Sequence, residues 1–144
     1  MYTALEVAKY IINKCIGLGR PISNLQLQKI LYYVQGEYMS KTNGEPLFED
    51  NFEAWQYGPV VPKVYYKYNI YSASEITDVQ QGEDIPQNVR NIIDNKIEEK
   101  SKYSAWNLVE QTHSEAPWIN TFDSGRGNGD IILKDQLKKF FCAR

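Results

Sequence analysis

The single histidine of the chain, His113, follows Trp106, Val109 and Glu110 in the run from Trp106 to His113. On a helix these positions share one face, so an acid and a base stand together, as proton transfer requires. A histidine beside a tryptophan on such a face is more often buried with its hydrogen bonds satisfied. The structural reading, His113 packed and hydrogen-bonded beside Trp106, is therefore preferred. A nucleophilic pair would need Cys15 or Cys142 next to His113, but Cys15 falls on the apolar side of a helical repeat. Cys142 stands close to the last residue. One histidine rules out a His-based metal cluster, and two distant cysteines make neither a disulfide framework nor a zinc site. Gly125-Arg126-Gly127-Asn128-Gly129 has the look of a phosphate cradle. It lacks the strand-to-helix context of a dinucleotide site and the Lys-Ser/Thr ending of a P-loop, so it reads as a flexible link, or as a segment that orders on binding a partner. Catalytic, metal and cofactor residues are therefore all assigned as none, and the chain is expected not to be an enzyme.

The elements that would carry these residues are mostly helical. Thr3-Ala4-Leu5-Glu6 and Ser23-Asn24-Leu25-Gln26 are capping-box patterns. The first opens a helix with Leu5, Ala8, Ile12, Cys15 and Ile16 inward, ended by Gly17 or Gly19. The second opens a longer helix whose stripe is Leu27, Ile30, Leu31, Val34 and Tyr38, with one of Tyr32 and Tyr33 flanking the core and the other facing solvent. Phe52 to Tyr57 alternates as a strand does, and Gly58-Pro59 reads as a turn. Pro62 suits the first position of a helix to about Tyr71. Gln80–Asp84 reads as a mobile loop, Pro86 starts a helix buried through Val89, Ile92, Ile93 and Ile97, and Ser104 caps another that Pro117 stops. A final helix runs through Phe141. The expected fold is mostly α (α+β), a compact multi-helix single domain over 1–144 with a small β-hairpin or short sheet.

Bulk properties bound the function. The chain of 144 residues is 42% hydrophobic and 24% charged, ordinary for one soluble domain able to bury a core without staples. No apolar run approaches the roughly 20 residues that span a bilayer, and Glu6 stands where a secretory signal wants cations. No membrane association and a cytoplasmic location are expected. Residues 1–71 and 101–144 each carry net +1, and residues 72–100 carry −4. Duplex-binding domains concentrate cations on one face, so nucleic acid is disfavoured. A helix-turn-helix through Gly19-Arg20-Pro21 would present Gln26 and Gln28, and glutamine can read adenine. Leucines and isoleucine crowd the same turns, which ranks a DNA-binding regulator second. Eleven tyrosines and three tryptophans are the unusual signal. Such rings are enriched at interface hot spots. The tryptophans are assigned to the core, whereas Tyr33, Tyr57, Tyr65 and Tyr66 are assigned to a partner-contact surface near Gly58-Pro59.

Three ordered motifs carry a family resemblance: Leu27 to Gly36 with Gln28, Lys29 and Tyr32; Glu53 to Tyr65 with Trp55, Tyr57, Gly58, Pro59, Val60, Pro62 and Tyr65; and Ser104 to Trp118 with Trp106, Val109, His113, Pro117 and Trp118. From about Leu5 to Phe141 the chain resembles the Panacea domain of SocA-like antitoxins and phage-associated GepA-like proteins. The resemblance implies a non-enzymatic, cytoplasmic, often prophage-borne antitoxin that neutralises a cognate protein toxin by direct contact. It also implies, for SocA-like members, adaptor action that delivers the toxin to a cellular protease. Motif residues shared across a family with many partners read as scaffold, with specificity placed in residues 72–103 and 124–130.

Overall fold

Two reciprocal caps set the first helices. Thr3 Oγ1 accepts the Glu6 amide at 3.1 Å while Glu6 Oε1 accepts the Thr3 amide at 3.0 Å, satisfying donors that a helix start leaves free. Helix α1 (Ala4–Gly17) follows and buries Val7, Ala8, Ile11, Ile12 and Cys15. Ser23 and Gln26 repeat the device and open α2 (Asn24–Lys41). These belong to a computed structural model that describes residues 1–82 and 84–143.

Helix α2 departs from the one-stripe expectation. Leu27, Ile30, Leu31 and Val34 are buried, but so are Gln28, Lys29, Tyr32, Tyr33 and Gln35. A helix buried on every side sits inside the molecule, and α2 is enclosed by α1, by β2 (Gly58–Val60), and by α4 (Gln87–Lys100), α5 (Ala105–His113) and α7 (Lys134–Phe141). Tyr33 is only 4% exposed, so neither tyrosine of the pair faces solvent.

Strand β1 (Phe52–Trp55) pairs antiparallel with β2, Trp55 opposite Gly58. The hairpin loop is therefore Gln56-Tyr57, and Gly58-Pro59 lies in the strand rather than in the turn. β3 (Ile131–Ile132) joins the other side of β1, giving the order β2-β1-β3. Phe52 and Ala54 face the core while Glu53 and Trp55 face outward.

Pro62 opens α3 (Pro62–Lys67), and a 3-10 turn follows at Asn69–Tyr71. Val89, Ile93 and Ile97 are the buried side of α4. Ser104 Oγ accepts the Asn107 amide at 3.1 Å to start α5, which ends at His113 with Ser114 as its cap. Pro117 then sits in the first turn of α6 (Ala116–Phe122); it starts a helix rather than stopping one.

Two segments expected to be mobile are anchored, the glycine-rich link by backbone pairing and the loop Gln80–Asp84 at its first residue. In the glycine-rich link the Gly129 amide donates to Ala54 O and the Ala54 amide to Asp130 O, both at 2.8 Å, so the link extends the sheet. Gly127 packs so closely on the Thr121 carbonyl that a Cβ would not fit. In the loop Gln80–Asp84, Asn13 holds Gln80 through both backbone groups, at 2.7 and 3.0 Å; Glu83 lies outside the described residues.

Candidate functional site

The motif residues form two layers, an internal clamp and an outer aromatic groove. In the clamp, Gln28 Oε1 accepts the Val61 amide at 3.0 Å and Gln28 Nε2 donates to Asn24 Oδ1 at 3.0 Å. Lys29 is fully buried and donates Nζ to Pro59 O at 2.9 Å. The helix thus grips β2 at its middle residue and just past its end, because a buried strand edge must find partners for its backbone. Burial drops the Lys29 ammonium to about 7. Gly58 lies at φ +108, and a Cβ there would meet Lys29 Cε and Thr112 Oγ1 at 2.7 Å each.

One turn further along α2, the hydroxyls of Tyr32 and Tyr33 each donate to Glu115, at 2.9 Å to separate oxygens. Burial raises the Glu115 carboxyl above its ordinary value, opposed by these two donors and by Lys100. The sequence reading missed Glu115, although the need of buried phenols for acceptors was the available signal. It also missed Gln35, whose Oε1 accepts the Leu47 and Phe48 amides at 2.8 and 3.3 Å and whose Nε2 donates to Phe48 O at 2.9 Å.

His113 does not pack beside Trp106. It stacks on Trp118, with ring centroids 3.9 Å apart and planes inclined by 16°, and Trp118 stacks in turn on Phe122. The buried face of α5 is Leu108, Val109 and Thr112, which rotates Trp106 outward to 57% exposure. Trp106 is exposed and Trp55 walls a surface groove, correcting their assignment to the core, whereas Trp118 is half-buried and packs against it. Burial lowers the His113 imidazole below its ordinary value, and the Gln56 backbone pulls it back upward. No hydrogen bond joins His113 to Glu110 among the described residues, and its buried Nε2 has no partner. Trp118 Nε1 donates to Trp55 O at 2.8 Å, tying α6 to the hairpin, and Pro117 is buried beneath it.

The outer layer is a groove of about 650 Å³ walled by Trp55, Tyr57, Val60 and Tyr65, with Asn69 and Asn128 at its polar margin. The alternation of β1 turns Trp55 outward, and Pro62 starts α3 so that Tyr65 meets it edge to face at 5.1 Å. Tyr57, in the hairpin loop, is 47% exposed and packs on Trp106 at 5.5 Å. Tyr66, 65% exposed, lies 6.2 Å from Trp55. Three of the four tyrosines assigned to a contact surface therefore gather here. Tyr33 does not, because its ring is enclosed between α2 and Lys100, whose Nζ stands 3.9 Å over it. The groove carries aromatic surface, phenol hydroxyls and amides, with no carboxylate, imidazole or thiol among its lining. Such a surface suits apolar contact and hydrogen bonding. Gln26 and Gln28 are not presented as a pair to a DNA groove: Gln28 is wholly inside, and Gln26 is engaged by the Ser23 cap and by Tyr103 O.

The chain belongs to the family of SocA-like antitoxins. It matches the description "Antitoxin SocA-like, Panacea domain" over residues 27–119. Antitoxin SocA of Caulobacter vibrioides is 32% identical in an alignment that covers 94% of this chain and 82% of that protein. No solved structure matches. No helix among the described residues is long and apolar enough to cross a membrane.

Proposed function

We propose that this chain is a cytoplasmic antitoxin that neutralises a cognate protein toxin by direct, stoichiometric binding, without catalysis. One observation carries the reading: the polar motif residues are consumed inside the fold, while the surface beside them offers Trp55, Tyr57, Tyr65, Tyr66 and Trp106 around one groove. Large rigid rings bring contact area at low entropic loss. A specific interface buries at least roughly 1,000 Å² in total, so the groove is the centre of a larger footprint. Family membership supports the toxin as the partner. Adaptor delivery to a cellular protease is a second step that such a complex permits.

Titration tests it. The chain and the product of the neighbouring gene are co-expressed at graded ratios, and protection is read alongside co-purification. Protection should rise in proportion to antitoxin and saturate near equivalence. Full rescue at a small fraction of equivalence, with no complex, would refute binding in favour of an enzymatic antidote. Rescue that vanishes in cells lacking the protease would add the adaptor step.

A further inference from the structure

The outward side of α3 carries Lys63, Tyr66 and Lys67, with Ile70 in the turn that follows. The spacing i, i+3, i+4, i+7 usually marks a helix face turned to a core. Here all four are exposed, Ile70 at 87%. The other side of the helix sends Val64 to the core and Tyr65 to the groove wall. Since Tyr66 leans on Trp55, the stripe and the groove form one continuous surface.

The charges on that surface are unmatched. Neither Lys63 nor Lys67 has a carboxylate within 4.0 Å among the described residues. Glu53, the acid of the adjoining strand, is held by Trp55 Nε1 at 2.9 Å. Two free ammonium groups one helical turn apart thus flank exposed aromatic rings in a protein of net charge −2.

We propose that this stripe and the groove together receive an acidic segment of the bound toxin. Carboxylates of that segment meet Lys63 and Lys67, and an apolar side chain between them enters the groove against Trp55 and Tyr65. The proposal rests on the toxin-binding reading above. Complementary charge at such a rim sets register and partner choice more than total affinity. Single-stranded nucleic acid also uses rings and lysines, but it needs a cationic track along the backbone, and the groove lining carries no cation.

The purified complex with the toxin provides the test. Carbodiimide coupling, which joins an amine directly to a carboxylate, should link Lys63 or Lys67 to an Asp or Glu of the toxin in peptide mass spectra. Lys63→Glu with Lys67→Glu should weaken binding at least about tenfold, leave the thermal midpoint unchanged, and remove or invert the loss of affinity that the native chain shows as salt rises from about 50 to about 500 mM. Lys63→Arg with Lys67→Arg should bind like the native chain. A complex whose affinity is indifferent to the double reversal, with neither lysine coupled, overturns the inference and leaves toxin binding standing. Absence of any complex with the native chain overturns both. Capture of an oligothymidylate that the double reversal abolishes would assign the stripe to nucleic acid instead.

Discussion

At the scale of single residues, Lys29 is the unusual member. Its ammonium has three donors and one backbone acceptor, in a fully buried place where burial lowers it to about 7. The unfolded chain keeps an ordinary lysine near 10.5. Between these values the unfolded state binds more protons than the folded one, so stability should rise with pH, at most about 1.4 kcal/mol per pH unit. Below about 7 both states are protonated and the handicap is constant. Above about 10 the trend reverses, because Tyr32 and Tyr33 are held well above the ordinary phenol range by burial and Glu115, and the unfolded chain loses those protons first. Lys29→Met should flatten the rise between about 7 and about 9, leaving only the smaller contribution of Lys100, which burial also lowers. Urea unfolding across that range measures it, and an undiminished slope in the variant would contradict this account. Gly58 completes the same contact. Alanine there meets both positive φ and a Cβ site already occupied by Lys29 and Thr112, so Gly58→Ala should lower stability by about 2 kcal/mol. An unchanged urea midpoint would mean that the strand relaxes freely.

At the scale of elements, α2 acts as a rod that holds extended segments through side-chain amides. Gln28 and Gln35, seven residues apart, bind Val61 and Leu47-Phe48 in turn. Gln35→Leu should lower stability by about 2–4 kcal/mol, since it strands two buried amides and a carbonyl at once. Gln26→Ala, which removes a capping contact at the helix start and an exposed hydrogen bond to Tyr103 O, should lose only about 1 kcal/mol; comparable losses would contradict the rod's special role. Such internal glutamines explain what was legible. Both capping boxes, the helix behind Pro86 and the β1 alternation are local signals, and each appears where the residues put it. The burial of α2 on all sides was hidden, because glutamine and lysine read as surface types unless their partners are known. Trp106 was placed inward because its run matches a helical stripe, yet α5 is only nine residues long and its apolar arc is rotated onto Leu108 and Thr112. The groove tyrosines were legible as a surplus of hydroxyls. Tyr33 was misplaced because its acceptor, Glu115, comes from 82 residues away.

At the scale of the whole molecule, the family match runs from residue 27 to 119, but the core does not. Helix α1 lies before it, and β3 and α7 lie after it, each packed on the matched part. Phe141 fills the space over Gly36 and meets the rings of Tyr32 and Tyr33. A chain ending at Leu133 should melt at least about 10 °C lower, from the loss of buried Leu137 and half-buried Phe141; an unaltered midpoint would show that α7 is an accessory. The intact chain should keep one cooperative transition after chelator and reductant. Cys15 is buried, its thiol pushed up to about 11, and Cys142 donates to Met39 O. The tryptophans have a further use. Trp55 walls the groove, Trp118 bonds to the carbonyl of Trp55, and Trp106 packs on the hairpin loop. All three indoles therefore report on one hairpin, and filling the groove should change the ultraviolet emission of the unlabelled chain. Trp106→Phe would silence the most water-exposed emitter and leave the other two as a built-in optical gauge of occupancy.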